Sequence, residues 1–149
     1  MKVKLVIKPL YELPDGESYI PKYATDGSAG FDFRANITEN VILKAGEFKL
    51  IKTGMFTSFQ KGYELQVRPR SGLALKHGIS VLNTPGTVDA DYTNEIGIIL
   101  VNFSDKDFTI EPGMRIAQGV FAKYEQAEWE IVDSLEETER KGGFGSTGV

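Results

Sequence analysis

The alternation of apolar and polar side chains along the chain predicts β-strands. Val3, Leu5 and Ile7 alternate with lysines, and segments 31–35 and 63–68 show the same two-residue period. Because successive side chains of a strand point to opposite faces of a sheet, this pattern is typical of half-buried strands. Further segments rich in β-branched and aromatic residues predict strands at 41–43, 48–51, 79–82, 95–102, 108–110, 115–122 and 128–132.

Turn sequences rich in Gly, Pro and Asp separate these segments, at 14–16, 26–28, 45–46, 61–62 and 111–113. Many short strands at close spacing predict an antiparallel β-sandwich or barrel and argue against β-α-β units. Residues 71–76 favour a short helical turn, with Ser71 as the candidate N-cap. We therefore expect one all-β domain over residues 1–133.

The last sixteen residues, 134–149, differ from this domain in composition. Residues 134–140 are acidic and polar, and residues 141–149 are rich in Gly, with Phe144 as the only large apolar side chain. Such a segment cannot build a core of its own, which predicts a flexible C-terminal arm. The arm is either a frayed terminus or a segment that becomes ordered over a ligand, and a lone Phe among glycines favours the second interpretation.

Composition narrows the chemistry that the chain can perform. The 149 residues are 41% hydrophobic and 26% charged, as expected of one globular domain. The absence of Cys excludes disulfides and a cysteine nucleophile, and a single histidine, His77, argues against multi-histidine metal sites. Apolar runs are too short for a membrane span, and residues 1–8 do not resemble a signal peptide, so we expect a cytoplasmic protein without a membrane partner.

The net charge of −4 argues against a general nucleic-acid binder, so any phosphate site must be local. Arg is scarce, which draws attention to Arg68 and Arg70. Arg70 can bind phosphate oxygens with its forked guanidinium, and Ser71 and Gly72 add a hydroxyl and backbone amides where the helical turn begins. The alternative is a solvated strand end with a capping Ser.

Asp89 and Asp91 form a second candidate site. On an extended chain both carboxylates project to one side and Tyr92 projects to the other. Such a pair is compatible with a general base, a hydrated divalent cation or a polar turn. Two further residues, Gln118 and Gly97, interrupt segments whose other residues predict buried strands. A glycine weakens a strand, so Gly97 favours a place where a ligand or another backbone comes close.

Five segments, taken together and in order, resemble the signature of a known family. They are 24–32 (ATDGSAGFD), 69–74 (PRSGLA), 86–92 (GTVDADY), 113–118 (GMRIAQ) and 142–148 (GGFGSTG). The set resembles the five motifs of the trimeric deoxyuridine triphosphate nucleotidohydrolases, the dUTPases. The resemblance implies a jelly-roll-like antiparallel β-sandwich and magnesium-dependent hydrolysis of dUTP to dUMP and pyrophosphate, which limits uracil in DNA and supplies dUMP for dTTP synthesis. It also implies a homotrimer with active sites at subunit interfaces, each closed by a neighbouring subunit's arm.

The resemblance assigns roles around the reacting phosphorus, the sugar and the base. Asp89 would be the general base that activates a water for in-line attack on the α-phosphorus. Tyr92 would pack under the deoxyribose and exclude a 2′-hydroxyl. A uracil slot too tight for the thymine methyl would be lined by Asn83 and by the backbone of Thr87, Val88 and Gly97.

Other matching residues would hold the phosphates and the metal. The phosphate chain would be bound from below by Arg70, Ser71, Gly72 and Gln118. From the arm, Arg140 would reach the γ-phosphate, Phe144 would stack on uracil, and the phosphates would be covered by Gly145, Ser146 and Thr147. The triphosphate would be the main ligand of Mg²⁺, and Asp32 would contact a water bound to the ion.

Two alternative functions stay open at this point. A dCTP deaminase-like homologue shares the subunit fold and the trimer, but lacks the Gly-rich tail and the Asp-Ala-Asp-Tyr sequence of the third segment. A non-catalytic β-sandwich module that uses the nucleotide as a switch would show no phosphate turnover.

Overall fold

The computed structural model describes residues 1–139 and 142, and this part of the chain contains eleven β-strands and one α-helix. The helix α1 spans Ser71–His77. The strands are β1 (Lys4–Ile7), β2 (Gly30–Arg34), β3 (Val41–Leu43), β4 (Phe48–Lys52), β5 (Met55–Ser58), β6 (Tyr63–Arg68), β7 (Ile79–Val81), β8 (Gly86–Val88), β9 (Gly97–Asn102), β10 (Phe108–Ile110) and β11 (Arg115–Lys123).

The strands form a sandwich of antiparallel sheets. One sheet has the order β2-β11-β6-β8 and another has the order β4-β9-β7, with the two-stranded sheets β1-β5 and β3-β10 beside them. Every pairing between these strands is antiparallel. The predicted all-β, jelly-roll-like sandwich with one short helix is therefore confirmed.

Apolar side chains at alternate strand positions fill the space between the sheets. Four side chains at interior strand positions are fully buried: Phe33, Leu65, Ile98 and Leu100. In β2 the polar Asp32 lies between two buried phenylalanines and points to the opposite face. The alternation that predicts the strands thus also separates the core from the face that carries the candidate site.

Helix α1 differs from the prediction at its first residues. Arg70, with φ −87° and ψ 128°, is the N-cap, and no side chain caps the helix. Ser71 is the first helical residue, so its prediction as the N-cap is wrong by one position. The helix ends at Gly78, whose φ of 65° is readily adopted only by glycine. Among the described residues no helix is both long and apolar enough to cross a membrane.

Prediction and structure disagree on three strands. β5 and β8 were not predicted, because β5 places Thr57 on its buried face and β8 is a three-residue strand that begins with Gly86. The strand predicted at 128–132 does not form in the described structure, where residues 124–139 have no strand partner. This C-terminal segment, 124–139, instead exposes Trp129 and Ile131, which are 88% and 98% accessible.

Candidate active site

The phosphate-binding candidates lie together at one end of β6. Asp32 of β2, Gln118 of β11 and Arg68 of β6 occupy one row across three paired strands. Pro69 ends the pairing of β6, since proline has no backbone N–H to donate, and the chain turns into α1. A cavity of about 440 Å³ opens here, lined by Gln66, Arg68, Pro69, Ser71, Thr84, Pro85 and Gln118.

The side chain of Gln118 is held in a fixed orientation within this cavity. Its Nε2 donates a hydrogen bond to the backbone carbonyl of Pro69 at 2.9 Å. Its Oε1 occupies space that is free only because residue 30 is glycine, as a Cβ on Gly30 would lie 2.6 Å from that oxygen. Gly30, which sequence reasoning gave no role, therefore makes room for a predicted phosphate ligand.

Asp32 organises two arginines beside the same cavity. The Nε of Arg70 donates to Asp32 Oδ1 at 2.9 Å, and Arg70 Nη1 donates to the carbonyl of Arg115 at 3.1 Å. The Nη1 of Arg115 lies 3.4 Å from Asp32 Oδ2. Two guanidiniums against one carboxylate leave a net positive charge at the surface, which suits an anionic ligand. Sequence reasoning missed Arg115, although it lies within the fourth motif segment, three residues before Gln118.

Asp89 lies in a different cavity. It follows β8 and is exposed. With Asp91 it borders a cavity of about 860 Å³, whose remaining lining is Ser58, Phe59, Lys61, Gly62, Ala90, Tyr124, Glu125 and Gln126. Within the described part of the chain the Asp89 side chain makes no hydrogen bond or ion pair. Its carboxylate oxygens are therefore open to solvent.

The register of β6 and β8 explains why the two cavities are separate. Leu65 pairs with Val88, so Asp89 stands beside Glu64 near the start of β6, while Arg68 ends that strand. From Glu64 to Arg68 the strand rises about 13 Å, at roughly 3.3 Å per residue. In a single copy of the chain, the predicted base and the predicted phosphate ligands lie at opposite ends of one strand.

Tyr92 lies in the loop that joins β8 to β9, and Gly97 is the first residue of β9. Tyr92 is 41% exposed, and its hydroxyl donates to the backbone carbonyl of Glu95 at 3.1 Å. A Cβ on Gly97 would lie 2.7 Å from Cδ1 of Leu50, so an exposed leucine side chain covers this glycine. Glu95 was not singled out from the sequence, because its carboxylate contacts a residue 41 positions away.

The uracil-binding candidates lie at a free sheet edge. β8 is the edge strand of its sheet, so alternate backbone groups around Thr87 point away from β6 and find no strand partner in the described structure. Asn83 lies beside this edge, with its Nδ2 3.2 Å from the position of a Cβ on Gly86. Such groups can pair with the polar edge of a base. The predicted arm ligands lie outside the described residues: Arg140, Phe144, Gly145, Ser146 and Thr147.

Comparisons with known proteins identify the family to which the chain is similar. A family model described as dUTPase matches residues 17–148. A deoxyuridine 5'-triphosphate nucleotidohydrolase from Orientia tsutsugamushi (strain Boryong) is 53% identical over 150 residues, 100% of this chain and 99% of the relative. A relative of the same name from Fusobacterium nucleatum subsp. nucleatum is 56% identical over 130 residues, 87% of this chain and 89% of the relative. The structure of a Staphylococcus bacteriophage 80alpha dUTPase with dUpNHpp matches with a TM-score of 0.82 at 26% identity, covering 99% of both chains.

Proposed function

We propose a catalytic mechanism for this chain, which belongs to the dUTPase family and, as a dUTP diphosphatase, hydrolyses dUTP to dUMP and pyrophosphate. In this mechanism Asp89 is the general base. One observation carries the assignment: within the described structure Asp89 is exposed and unpaired, whereas Asp32 is engaged by Arg70 and Arg115. A general base needs a free oxygen within reach of the water that it activates. Relatives named for this hydrolysis favour it over the deaminase and the non-catalytic module.

The reaction transfers the α-phosphoryl group to water. Asp89 takes a proton from the water, whose oxygen forms a bond to the α-phosphorus as the bond to the bridging oxygen breaks and pyrophosphate leaves. Arg70, Ser71, Gly72 and Gln118 hold the phosphates so that attack and departure lie in line. Catalysis then rests on positioning and charge stabilisation without a covalent intermediate.

The sugar and the base are bound by Tyr92 and by residues at the free edge of β8. We propose that the exposed ring of Tyr92 packs under the deoxyribose, and that a 2′-hydroxyl would collide with it. The free edge of β8, with Asn83, Thr87, Val88 and Gly97, would pair with uracil. The arm residues Arg140, Phe144, Gly145, Ser146 and Thr147 would then cover the bound nucleotide.

We propose Mg²⁺ as the cofactor, delivered with the triphosphate. The described residues contain no group of three or more His, Cys, Asp or Glu that could hold a metal ion. Protein sites often bind Mg²⁺ through one or two carboxylates, substrate phosphates and several waters, so this residue set fits an ion held by the substrate. Both oxygens of Asp32 face guanidiniums, which suits contact through a water. The ion would neutralise phosphate charge.

We propose that the enzyme is a homotrimer whose sites combine residues of neighbouring copies. Asp89 and the Arg70–Ser71–Gln118 group lie at opposite ends of β6, so a second copy is needed to bring both to one triphosphate. The large apolar side chains exposed on the C-terminal segment, Trp129, Ile131 and Leu135, support assembly, because contact with another copy would remove them from water. Their strand-like alternation suits pairing with another copy.

The reaction removes dUTP and yields dUMP, so it limits uracil in DNA and supplies the precursor of dTTP. We propose that it takes place in the cytoplasm, since both nucleotides belong to the intracellular pool.

Replacement of Asp89 by Asn tests the base assignment. The amide keeps the size of the side chain but cannot take the proton, so kcat should fall by about 10²- to 10⁴-fold while dUTP binding is retained. Pyrophosphate release and calorimetric titration with a non-hydrolysable dUTP analogue measure the two properties. Asp91→Asn, which changes a carboxylate of the same cavity, should keep kcat within a few-fold of the wild type. Near-normal turnover of Asp89→Asn would refute the assignment.

A further inference from the structure

We propose that Glu95 is a positioning residue for substrate selection, because it anchors the loop that carries Asp89 and Tyr92. The proposal rests on the proposed function, in which Tyr92 reads the sugar. Glu95 acts through two of its groups: the carboxylate ties the loop to the turn between β4 and β5, and the backbone carbonyl accepts the Tyr92 hydroxyl.

The carboxylate of Glu95 makes two contacts with the end of the neighbouring strand β4 and the turn that follows it. Its Oε1 accepts a hydrogen bond from the backbone N–H of Gly54 at 2.9 Å, and its Oε2 lies 3.5 Å from Nζ of Lys52. The Glu95 side chain is 22% exposed, whereas that of Lys52 is 65% exposed. The hydrogen bond from the backbone is therefore the main anchor, since an ion pair with a solvated lysine contributes little.

Gly54 is a rigid anchor point. Its φ of +66° is strained for other residues, and a Cβ there would lie 2.6 Å from Asn36 Nδ2 and 2.7 Å from the carbonyl of Lys8. The Gly54 carbonyl accepts the N–H of Lys8 at 2.8 Å, and Asn36 Nδ2 donates to the Lys8 carbonyl at 3.0 Å. Glu95 thus fastens the loop to a point that two other parts of the chain already hold in place.

The anchor is coupled to the tyrosine by a short local network. The Tyr92 N–H donates to the Asp89 carbonyl at 3.1 Å, and the Tyr92 hydroxyl donates to the Glu95 carbonyl at the same distance. Immediately after Glu95, the Ile96 N–H donates a hydrogen bond to the backbone carbonyl of Met55 at 2.8 Å. The Ile96 carbonyl accepts a hydrogen bond from the Thr53 hydroxyl at 2.6 Å. The chain is therefore fixed on the β9 side, and Glu95 extends that fixed region towards the ring.

Loss of the carboxylate should loosen the ring more than the core. Tyr92 is partly exposed, and its hydroxyl makes the one side-chain hydrogen bond found for it in the described structure. Without the anchor, the ring can move aside and admit a 2′-hydroxyl. Small misplacements of positioning groups cost up to about 100-fold in rate, so we expect the ratio of kcat/KM for dUTP to kcat/KM for UTP to fall by about 10-fold or more.

The test compares Glu95→Ala and Glu95→Gln with a matched control. Glu47 accepts the backbone N–H of Lys44 at 2.9 Å and lies 3.3 Å from Nζ of Lys49, so it makes the same two kinds of contact away from the site. Glu95→Ala should lower the dUTP/UTP ratio, and Glu95→Gln should restore most of it, since the amide oxygen can still accept the Gly54 N–H. Glu47→Ala should keep the wild-type ratio.

A double-variant cycle with Tyr92→Phe separates positioning from general destabilisation. The quantity compared is the logarithm of the ratio of kcat/KM for dUTP to kcat/KM for UTP. If Glu95 acts through the tyrosine, the effects of Glu95→Ala and Tyr92→Phe on this logarithm are not additive. Additive effects would show that the two residues act independently and would overturn the proposal. A Glu95→Ala enzyme with the wild-type ratio would also overturn it, as would an equal loss in Glu47→Ala. These outcomes leave the hydrolysis of dUTP and the role of Asp89 standing, because those are tested separately by pyrophosphate release from the wild-type enzyme and from Asp89→Asn.

Discussion

Two inactive variants of this enzyme should restore activity when their subunits are mixed. Asp89→Asn removes the proposed base. Arg70→Ala removes a proposed phosphate ligand, which donates a hydrogen bond to Asp32 at the other end of β6. The two ends are about 13 Å apart along the strand, so we expect each site to take Asp89 from one copy and Arg70 from a neighbour. If the enzyme is the proposed trimer, a mixed assembly of the two variants contains some sites in which both residues are wild type.

The expected recovery follows from counting the copies at each site. In trimers assembled at random from equal amounts of the two variants, the copy that supplies the base is intact at position 89 half of the time. The copy that supplies the phosphate ligand is independently intact at position 70 half of the time. About one quarter of the sites regain both residues in a symmetric ring, so the mixture should reach roughly 25% of wild-type turnover.

The assay is pyrophosphate release at saturating dUTP after the variants are denatured and refolded together, with light scattering to confirm equal assembly. Mixing Arg70→Ala with Gln118→Ala is the matched control, because both residues line the same end of β6 and every site keeps one defect. If the Asp89→Asn and Arg70→Ala mixture shows no more activity than the mean of its components, the two residues come from the same copy and the shared-site reasoning is refuted.

Two further substitutions test the site and the core. Gly30→Ala should raise KM for dUTP about tenfold with little change in melting temperature. The added methyl would displace the flexible Gln118 amide from its hydrogen bond to the Pro69 carbonyl. An unchanged KM would contradict this reasoning. Asn102→Ala should lower the free energy of unfolding in urea by about 2–4 kcal/mol, because the fully buried amide donates to the carbonyls of Leu43 at 3.0 Å and Lys106 at 2.7 Å, which would lose a partner. An unchanged unfolding midpoint would contradict that estimate.

The strands that were predicted correctly are those whose two faces differ in polarity. β2 and β6 have one face on the core and one towards solvent, so the sequence alternates along them. β5 escaped prediction because the core accepts the small polar Thr57. The segment 128–132 has the composition of a strand, but strand formation also requires a partner, and single-chain patterning contains no information about a partner in another copy.

The sequence indicated which residues form the candidate site, but not where those residues lie relative to one another in the fold. Motif order indicated Asp89 and Arg70, whereas the β6–β8 register that places them at opposite ends of a strand is a long-range property. Asp32 lies 83 positions from Arg115, and Glu95 lies 41 positions from Gly54, so neither contact leaves a local pattern in the sequence. Sequence periodicity reports on faces of elements, and these contacts depend on how the elements are assembled.

The exposed C-terminal segment also provides a spectroscopic label. Trp129 is the single tryptophan of the chain and is 88% accessible in one copy. Indole fluorescence moves to shorter wavelength when water is removed from around the ring. The emission maximum of the unmodified enzyme therefore records whether this segment is packed against another subunit, and it can follow assembly and dissociation in real time without an attached dye.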